Sequence, residues 1–421
     1  MKKILIVSYF FNEEEETGSL RVRGLAKYLP QFNYEPTILT RKTLNSSTSQ
    51  FNVIETSYDY LLIMKIKQLI GFEINNNIQE QLPLDAFKNR GGLTANIIKM
   101  LDEIQSYPDV HKGWIKYAVK EGNNLLKKYK YDGIISSSPP QVAHLVACSL
   151  ARNNRIPWIA DFRDLWSLCN YTEYGRIRQS LDKGLELKTL KNANELVTVS
   201  EPLANLLKDL HHDKKVCVIT NGYDPDIKKH GWPVRKKFSI TYTGRIHKGK
   251  RDPEPLFRAI KELKNNNDIQ DLEINFYGRY DGWLTEIVRK YELQDSVNIY
   301  QIIPRKEAIK RQRESQILLL LNWNDPKETG VYTGKIFEYL AAGRPILSIG
   351  MISGVVGELL KQTGAGLHIS DIEGIKSFLK KSYDEFKTKG QVEYYGKENI
   401  IENYSHIEMA RKFSNILNNI T

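Results

Sequence analysis

The sequence predicts an α/β protein of two doubly wound, Rossmann-like domains facing across a cleft. Three observations carry that expectation. The chain has 421 residues, and at roughly 100–200 residues per domain that length suggests two. Its strand-like segments are continuous apolar runs, as in parallel sheets buried on both faces. Those runs alternate with helical patterns in two successive series, separated by the polar segment 224–235 with Pro225 and Pro233.

In the first series, residues 3–8 form an apolar strand, a polar loop runs from Asn12 to Ser19, a helix covers 20–29 and a strand 35–40. This β-loop-α-β opening begins a doubly wound sheet. Residues 41–107 are rich in Asn, Ser and Gln with weak periodicity, and read as an insertion with some helix, including an ordinary surface helix at 97–104. A helix at 114–129, a strand at 133–136, a helix at 141–152 and strands at 158–161, 195–199 and 216–219 complete the half. The second series has strands at 239–242, 273–277, 297–300, 317–321 and 346–349, with a helix at 255–264 among those between them. A helix at 407–417 ends the chain. The expected domains are 1–228, on the acceptor side, and 229–403, on the donor side, with 404–421 packing back on the first. Ligands in such sheets lie beyond the carboxyl ends of the strands, and substrate is expected between the domains.

No run approaches the ~20 apolar residues of a membrane-spanning helix. The opening Met-Lys-Lys-Ile-Leu-Ile-Val reads as a strand, because Asn12 and four glutamates follow where a cleavage site belongs. Cys148, Cys169 and Cys217 have no metal-like spacing and suggest a reducing, cytoplasmic setting. The 61 basic and 50 acidic residues leave a net charge of +11, which favours phosphorylated substrates or an anionic membrane surface. No nucleic-acid module is recognisable, so nucleic acid is not an expected partner.

Two motifs carry chemistry. In Tyr242-Thr-Gly244-Arg245-Ile-His-Lys-Gly-Lys250, a glycine turn follows a strand and places Arg245 and Lys250 on one loop. A guanidinium fork and a mobile ammonium suit a diphosphate leaving group. In Thr329-Gly330-Val-Tyr-Thr333-Gly334-Lys335-Ile-Phe-Glu338, a glycine loop opens a helix near Lys335. Free N–H groups and the macrodipole make such a terminus a phosphate site. Glu338, one turn on, can accept hydrogen bonds from a ribose diol. Gly343 and Pro345 end the helix.

These motifs, with Val197-Thr-Val-Ser200-Glu-Pro-Leu, Val218-Ile-Thr-Asn221-Gly-Tyr-Asp224 and Ile274-Asn-Phe-Tyr277-Gly278 in order, resemble retaining GT-B glycosyltransferases of glycosyltransferase family 4. The resemblance covers nearly the whole chain. It implies a GT-B fold and transfer from a UDP- or GDP-linked sugar, a co-substrate rather than a cofactor, with retention and without a metal. It implies catalytic roles for Arg245, Lys250 and Glu338, and nucleotide-sugar contacts from Gly18, Ser19, Gly244, Tyr277, Gly278, Glu328, Gly330, Thr333, Gly334 and Lys335. Ser136-Ser-Ser-Pro-Pro140, Ile156-Pro-Trp-Ile-Ala-Asp161-Phe-Arg163-Asp164-Leu-Trp166, and Pro108-Asp109 with Trp114 resemble the family's surface-polysaccharide enzymes. Those imply a glycan or lipid-linked acceptor and a place at the inner face of the membrane. Two positions depart from the pattern. Gly330 stands where a first glutamate is usual, with Glu328 nearby. Arg163 stands where a histidine is usual, making Asp161, Arg163 and Asp164 the acceptor-side candidates. Asp224-Pro-Asp226 reads as turn chemistry and not as a metal motif.

Four alternatives stay open. A nucleotide-sugar epimerase and a phosphorylase share the architecture, but no pyridoxal-bearing lysine can be located. A dinucleotide oxidoreductase needs Gly-x-Gly-x-x-Gly after the first strand, where only Gly18 occurs. A non-catalytic basic protein is expected to bind in a salt-sensitive way without turnover.

Overall fold

A computed structural model describes residues 1–13, 17–43, 50–59, 103–104, 106–169, 174–229, 233–280, 282–351 and 353–421. The chain divides into two compact units. One comprises Met1–Thr198, Ala204–Val218 and Phe413–Thr421, and the other Val199–Leu203 and Ile219–Lys412.

The first unit is built on a parallel sheet. Its described strands are β1 (Lys2–Val7), β2 (Tyr34–Arg41), β3 (Val53–Thr56), β4 (Gly133–Ser138), β5 (Trp158–Phe162), β6 (Glu195–Thr198) and β7 (Lys215–Val218). They lie in the order β3-β2-β1-β4-β5-β6-β7. β1 pairs with both β2 and β4, for example Ile4 with Pro36 and with Gly133. The strand order reverses there, and in doubly wound sheets ligands bind at such a point. The crossovers include α1 (Thr17–Tyr28), α2 (Ile115–Lys128), α3 (Val142–Asn154), α4 (Arg176–Leu190) and α5 (Glu201–Leu210).

The second unit repeats the plan. Strands β8 (Phe238–Thr243), β9 (Leu272–Tyr277), β10 (Val297–Tyr300), β11 (Ile317–Leu321), β12 (Ile346–Ile349) and β13 (Gly366–Ile369) alternate with α6 (Glu254–Asn265), α7 (Trp283–Lys290), α8 (Arg305–Glu314), α9 (Gly334–Ala342), α10 (Gly354–Thr363) and α11 (Ile372–Lys389). The order β10-β9-β8-β11-β12-β13 is that of a dinucleotide-binding sheet. β11 shows why its strands lack alternation. Ile317, Leu319 and Leu321 enter one core with Phe238 and Phe276, while Leu318 and Leu320 enter another with Ile336 and Phe337. Both faces are buried, so every position is apolar. The last helix, α12 (His406–Ile420), carries Asn418, which accepts from Tyr34 Oη at 2.7 Å, and precedes Thr421, which accepts from Lys2 Nζ at 2.8 Å.

Three elements differ from the sequence reading. Residues 53–56, placed in the expected insertion, form edge strand β3 against β2. Four half-buried residues in a polar stretch give too weak a pattern to show. Strand β13 is short, with Leu367 55% exposed. Helix α4 was missed because its polar residues point inward. The expected helix at 97–104 lies outside the described residues except for 103 and 104.

Candidate active site

In the second unit, β8 stops at Thr243 and the chain turns at Gly244 with φ of +105°. A side chain is strained there by the backbone, and the flexible end of Lys335 would have to move to make room for it. The backbone is left-handed, and a Cβ would lie 2.6 Å from Lys335 Cε. Lys335 therefore crosses the end of β8, its ammonium 5.0 Å from the Tyr242 ring centroid. A Cβ on Gly278 would lie 2.3 Å from the Gly244 carbonyl oxygen. The Gly244 N–H donates to the Tyr277 carbonyl at 2.7 Å, closing the ends of β8 and β9 together.

The loop beyond is pinned by its backbone and by ring contacts. Tyr242 Oη donates to the Arg245 carbonyl at 2.9 Å. Lys250 Nζ stands 4.2 Å from the Trp323 ring, and Arg251 bridges to Trp323 through the backbone. His247 sits within this group. Burial first, then the charges of Arg251, Arg245, Lys250 and Lys335, push its pKa down to about 4. Four cations from two segments thus act on one neutral imidazole. Sequence reasoning named three of the cations but missed His247 and Arg251, although both lie in the same loop, 244–253, as Arg245.

Helix α9 begins beside this loop, its first residues carrying Lys335. Thr333 is its N-cap in extended geometry, makes no capping bond, and keeps a buried Oγ1 without a hydrogen-bond partner. Gly343, with φ of +66°, terminates the helix. Glu338 accepts from Arg305 Nε at 2.9 Å and from Gln312 Nε2 at 3.3 Å. Gln312 also donates to Thr243 Oγ1 at 2.9 Å, so α8, α9 and the end of β8 share one polar network. A carboxylate has about four lone-pair sites, which leaves Glu338 capacity for a diol. Tyr277 is buried, its ring stacked 4.6 Å from that of Tyr300, and Tyr300 is the exposed member of the pair.

Gly330 has a steric reason. Ser200 Oγ donates to its carbonyl at 2.6 Å, and a Cβ would lie 2.9 Å from Pro202 Cβ. The close passage of 200–203 takes the room a side chain needs. Glu328 is buried, its carbonyl accepting from the Val331 N–H at 3.0 Å.

In the first unit the acceptor-side candidates separate into different roles. Asp161 is wholly buried and takes a two-pronged bond from Arg21, with Ser137 Oγ donating at 2.8 Å. Arg163 is buried too. Its guanidinium donates to the carbonyls of Ser138, Pro139 and Gly18, clasping the loop after β4 to the first turn of α1. A Cβ on Gly18 would come within 2.9 Å of that guanidinium. Ser19 is buried and donates to the Glu13 carbonyl at 2.7 Å. Asp164 differs: burial raises its carboxyl pKa, with Arg163 pulling the other way.

Sequence reasoning missed the group nearest the switch point. Asp109 accepts from the N–H of His111 at 2.8 Å and of Gln141 at 2.7 Å, fastening this segment to the start of α3. The His111 ring lies 4.2 Å from Tyr9, beyond the end of β1. Arg41, at the end of β2, spreads over Tyr9, Phe10 and Tyr58. Burial lowers the His111 pKa, opposed by Asp109 and reinforced by Arg41. The Gln141 Oε1 is buried without a hydrogen-bond partner. Only Pro108-Asp109, already singled out in the sequence, hinted at this place.

Comparison with known proteins first defines the class of fold. Sucrose-phosphate synthase from Thermosynechococcus elongatus superposes with a TM-score of 0.63 at 14% identity, covering 100% of this chain and 99% of that one. Anabaena HepE, solved with UDP and glucose, gives 0.64 at 11% identity over 100% of both chains. A glycosyltransferase from Rickettsia africae gives 0.58 at 15% identity over 99% and 98%. The likeness is one of fold, and that fold is the two-domain α/β arrangement termed GT-B. More narrowly, residues 104–227 match the family model described as Glycosyltransferase Family 4. No curated protein matches the sequence.

Proposed function

We propose that the chain is a retaining glycosyltransferase that moves a sugar from a UDP- or GDP-linked donor to a glycan or lipid-linked acceptor in cell-surface polysaccharide synthesis. One observation carries the reading. Arg245, Lys250, Arg251 and Lys335 converge on His247 beside the start of α9, a concentration of positive charge suited to a diphosphate.

In this reading the bond from the anomeric carbon to the β-phosphate oxygen breaks, and its electron pair leaves with the nucleoside diphosphate. The transition state is oxocarbenium-like. Arg245, Lys250 and the N–H groups at Thr333 and Gly334 stabilise the charge on the leaving group, with no metal required. The acceptor oxygen bonds the anomeric carbon on the face that is vacated, and its proton passes to the departing phosphate. Glu338 holds the ribose. In the first unit, Arg163 and Asp161 are positioning residues, since their charges are spent inside the protein. His111 and Asp164 lie on the acceptor side without a step of their own, because the acceptor's proton leaves with the phosphate.

The similar structures support this reading. HepE has been solved with UDP-glucose, and a lipopolysaccharide outer core galactosyltransferase shares the fold with a TM-score of 0.56. The test is a thermal-shift series with UDP, GDP, ADP, CMP and their sugar conjugates, with and without magnesium. One nucleoside diphosphate is expected to raise Tm by mass action, without magnesium. The His247 imidazole pKa, followed by NMR, should rise as the bound anion offsets the four cations. No shift with any nucleotide sinks the donor site, and a shift that needs magnesium sinks metal independence. NMR of the transferred sugar's anomeric configuration decides retention.

A further inference from the structure

Helix α4 is inside-out. Its buried residues are Arg178, Asp182, Glu186, Thr189 and Leu190. Arg178, Asp182 and Glu186 follow one another at i, i+4, i+8, a single face. That face is polar and held by ion pairs and hydrogen bonds, although Asp182 Oδ1 is buried without a hydrogen-bond partner. Arg178 Nε donates to Asp182 at 2.8 Å, and the same guanidinium bonds Ser106 and the carbonyl of Pro108. The rings of Tyr107 and Tyr174 lie 5.0 and 4.5 Å from it. Glu186 accepts from the Ser167 N–H at 2.8 Å and meets His211 Nε2 at 3.2 Å.

The opposite face carries three exposed hydrophobes, while Leu190 is buried and Leu185 half-buried. Ile177 is 77% exposed, Leu181 50% and Leu187 39%. Gly184 sits between them with open space above it. The exposed charges on this helix, Arg176, Lys183 and Lys188, are all cationic, and Lys191 follows directly. Its two acidic residues, Asp182 and Glu186, are the buried ones. A helix that only covers a core shows the reverse pattern, apolar inward and charged outward. Branched aliphatics framed by cations, with no exposed carboxylate, are the composition of a helix that lies in the boundary of an anionic bilayer.

We propose that α4 is the membrane-docking element of this protein, seating Ile177, Leu181 and Leu187 among the acyl chains of an anionic lipid surface while Arg176, Lys183, Lys188 and Lys191 meet the headgroups. This inference stands apart from the transfer reaction, because the binding it requires needs no donor and no turnover.

The test is flotation of the full chain with vesicles of phosphatidylcholine alone and of phosphatidylcholine with phosphatidylglycerol. The wild type is expected to float only with the anionic vesicles. I177E/L181E should lower the apparent affinity at least about tenfold, since both the apolar contact and the charge sign are reversed. K183E/K188E should weaken it by roughly fivefold for each cation lost, and salt near 1 M, where the screening length is about 3 Å, should do the same. I302E, which alters a residue 69% exposed in the other unit, is the control and should float like the wild type. Melting curves establish that each variant is folded, and should I177E/L181E not fold, K183E/K188E decides. Wild-type binding that survives both pairs of changes overturns the proposal, as does an absence of vesicle binding. A wild-type dimer that I177E/L181E dissolves, with no flotation, also overturns it and assigns the face to a second copy of the chain.

Discussion

The arginines of the two units face different fates. In the first unit, Arg21, Arg163 and Arg178 are buried, each against a carboxylate or several backbone carbonyls. In the second, Arg245 and the neighbouring Lys248 and Lys250 stand on an exposed loop, held by contacts to backbone and ring rather than by burial. A guanidinium carries five donors and keeps its charge in any protein environment. Inside a fold it must therefore be satisfied at once, and it then acts as a rivet. On a glycine-bounded loop it stands exposed at the surface. The same residue type is buried architecture in one place and a candidate ligand contact in the other.

The largest expected effect comes from breaking a rivet. Asp161→Ala strands Arg21 in the interior and should cost roughly 3–5 kcal/mol, measured by denaturant titration. A loss below about 1 kcal/mol, the scale of a surface pair, would mean the pair is not buried in solution. Arg245→Ala makes the opposite case. It should lower kcat about 10²–10³-fold while leaving Tm unchanged, since the side chain is exposed; near-normal turnover removes it from the proposed chemistry. Gly330→Glu restores the glutamate usual in the resembling family. Because Pro202 already occupies that room, the change should destabilise by about 1–3 kcal/mol and not improve activity. A more active, equally stable variant would show that residues 200–203 stand further off.

The gentlest probe is pH. His144 is wholly buried, its Nδ1 2.7 Å from Ser136 Oγ, and burial pushes its pKa down to about 3. The folded pKa lies below the ordinary 6.5, so the unfolded chain takes up the proton first. The stabilisation is full above pH 6.5 and declines as pH falls from there towards 3, by up to about 1.4 kcal/mol per pH unit from this group. His144→Phe should flatten that part of the stability profile. An unchanged slope would assign the acid sensitivity to other groups.

Much of this was legible in the chain itself. Strands at 297–300, 317–321 and 346–349 were read with the bounds they have, and the clearest of them, 317–321, is a continuous aliphatic run with few alternatives. Gly244, Arg245, Lys250 and Lys335 could be named because a glycine turn after a strand and a glycine-opened helix are local signals. The edge strand β3 was hidden, since its pattern is shared with a neighbour 15 residues away in sequence. Helix α4 was hidden for a different reason: apolar periodicity assumes that hydrophobes point inward, and here ion pairs do.

The sequence by itself determined the two-fold α/β plan and the cationic loop with its glycines. These depend on side-chain period and backbone freedom, which neighbouring residues decide among themselves. Only the tertiary structure decided that Arg163 ties the loop after β4 to the start of α1, that Gly330 yields to Pro202, that His111 stands among aromatic rings and Arg41, and that α4 turns its greasy face outward. Each of those is settled by partners tens to more than a hundred residues away, or by which face of an element finds room and a hydrogen-bond partner, and no local pattern encodes that choice.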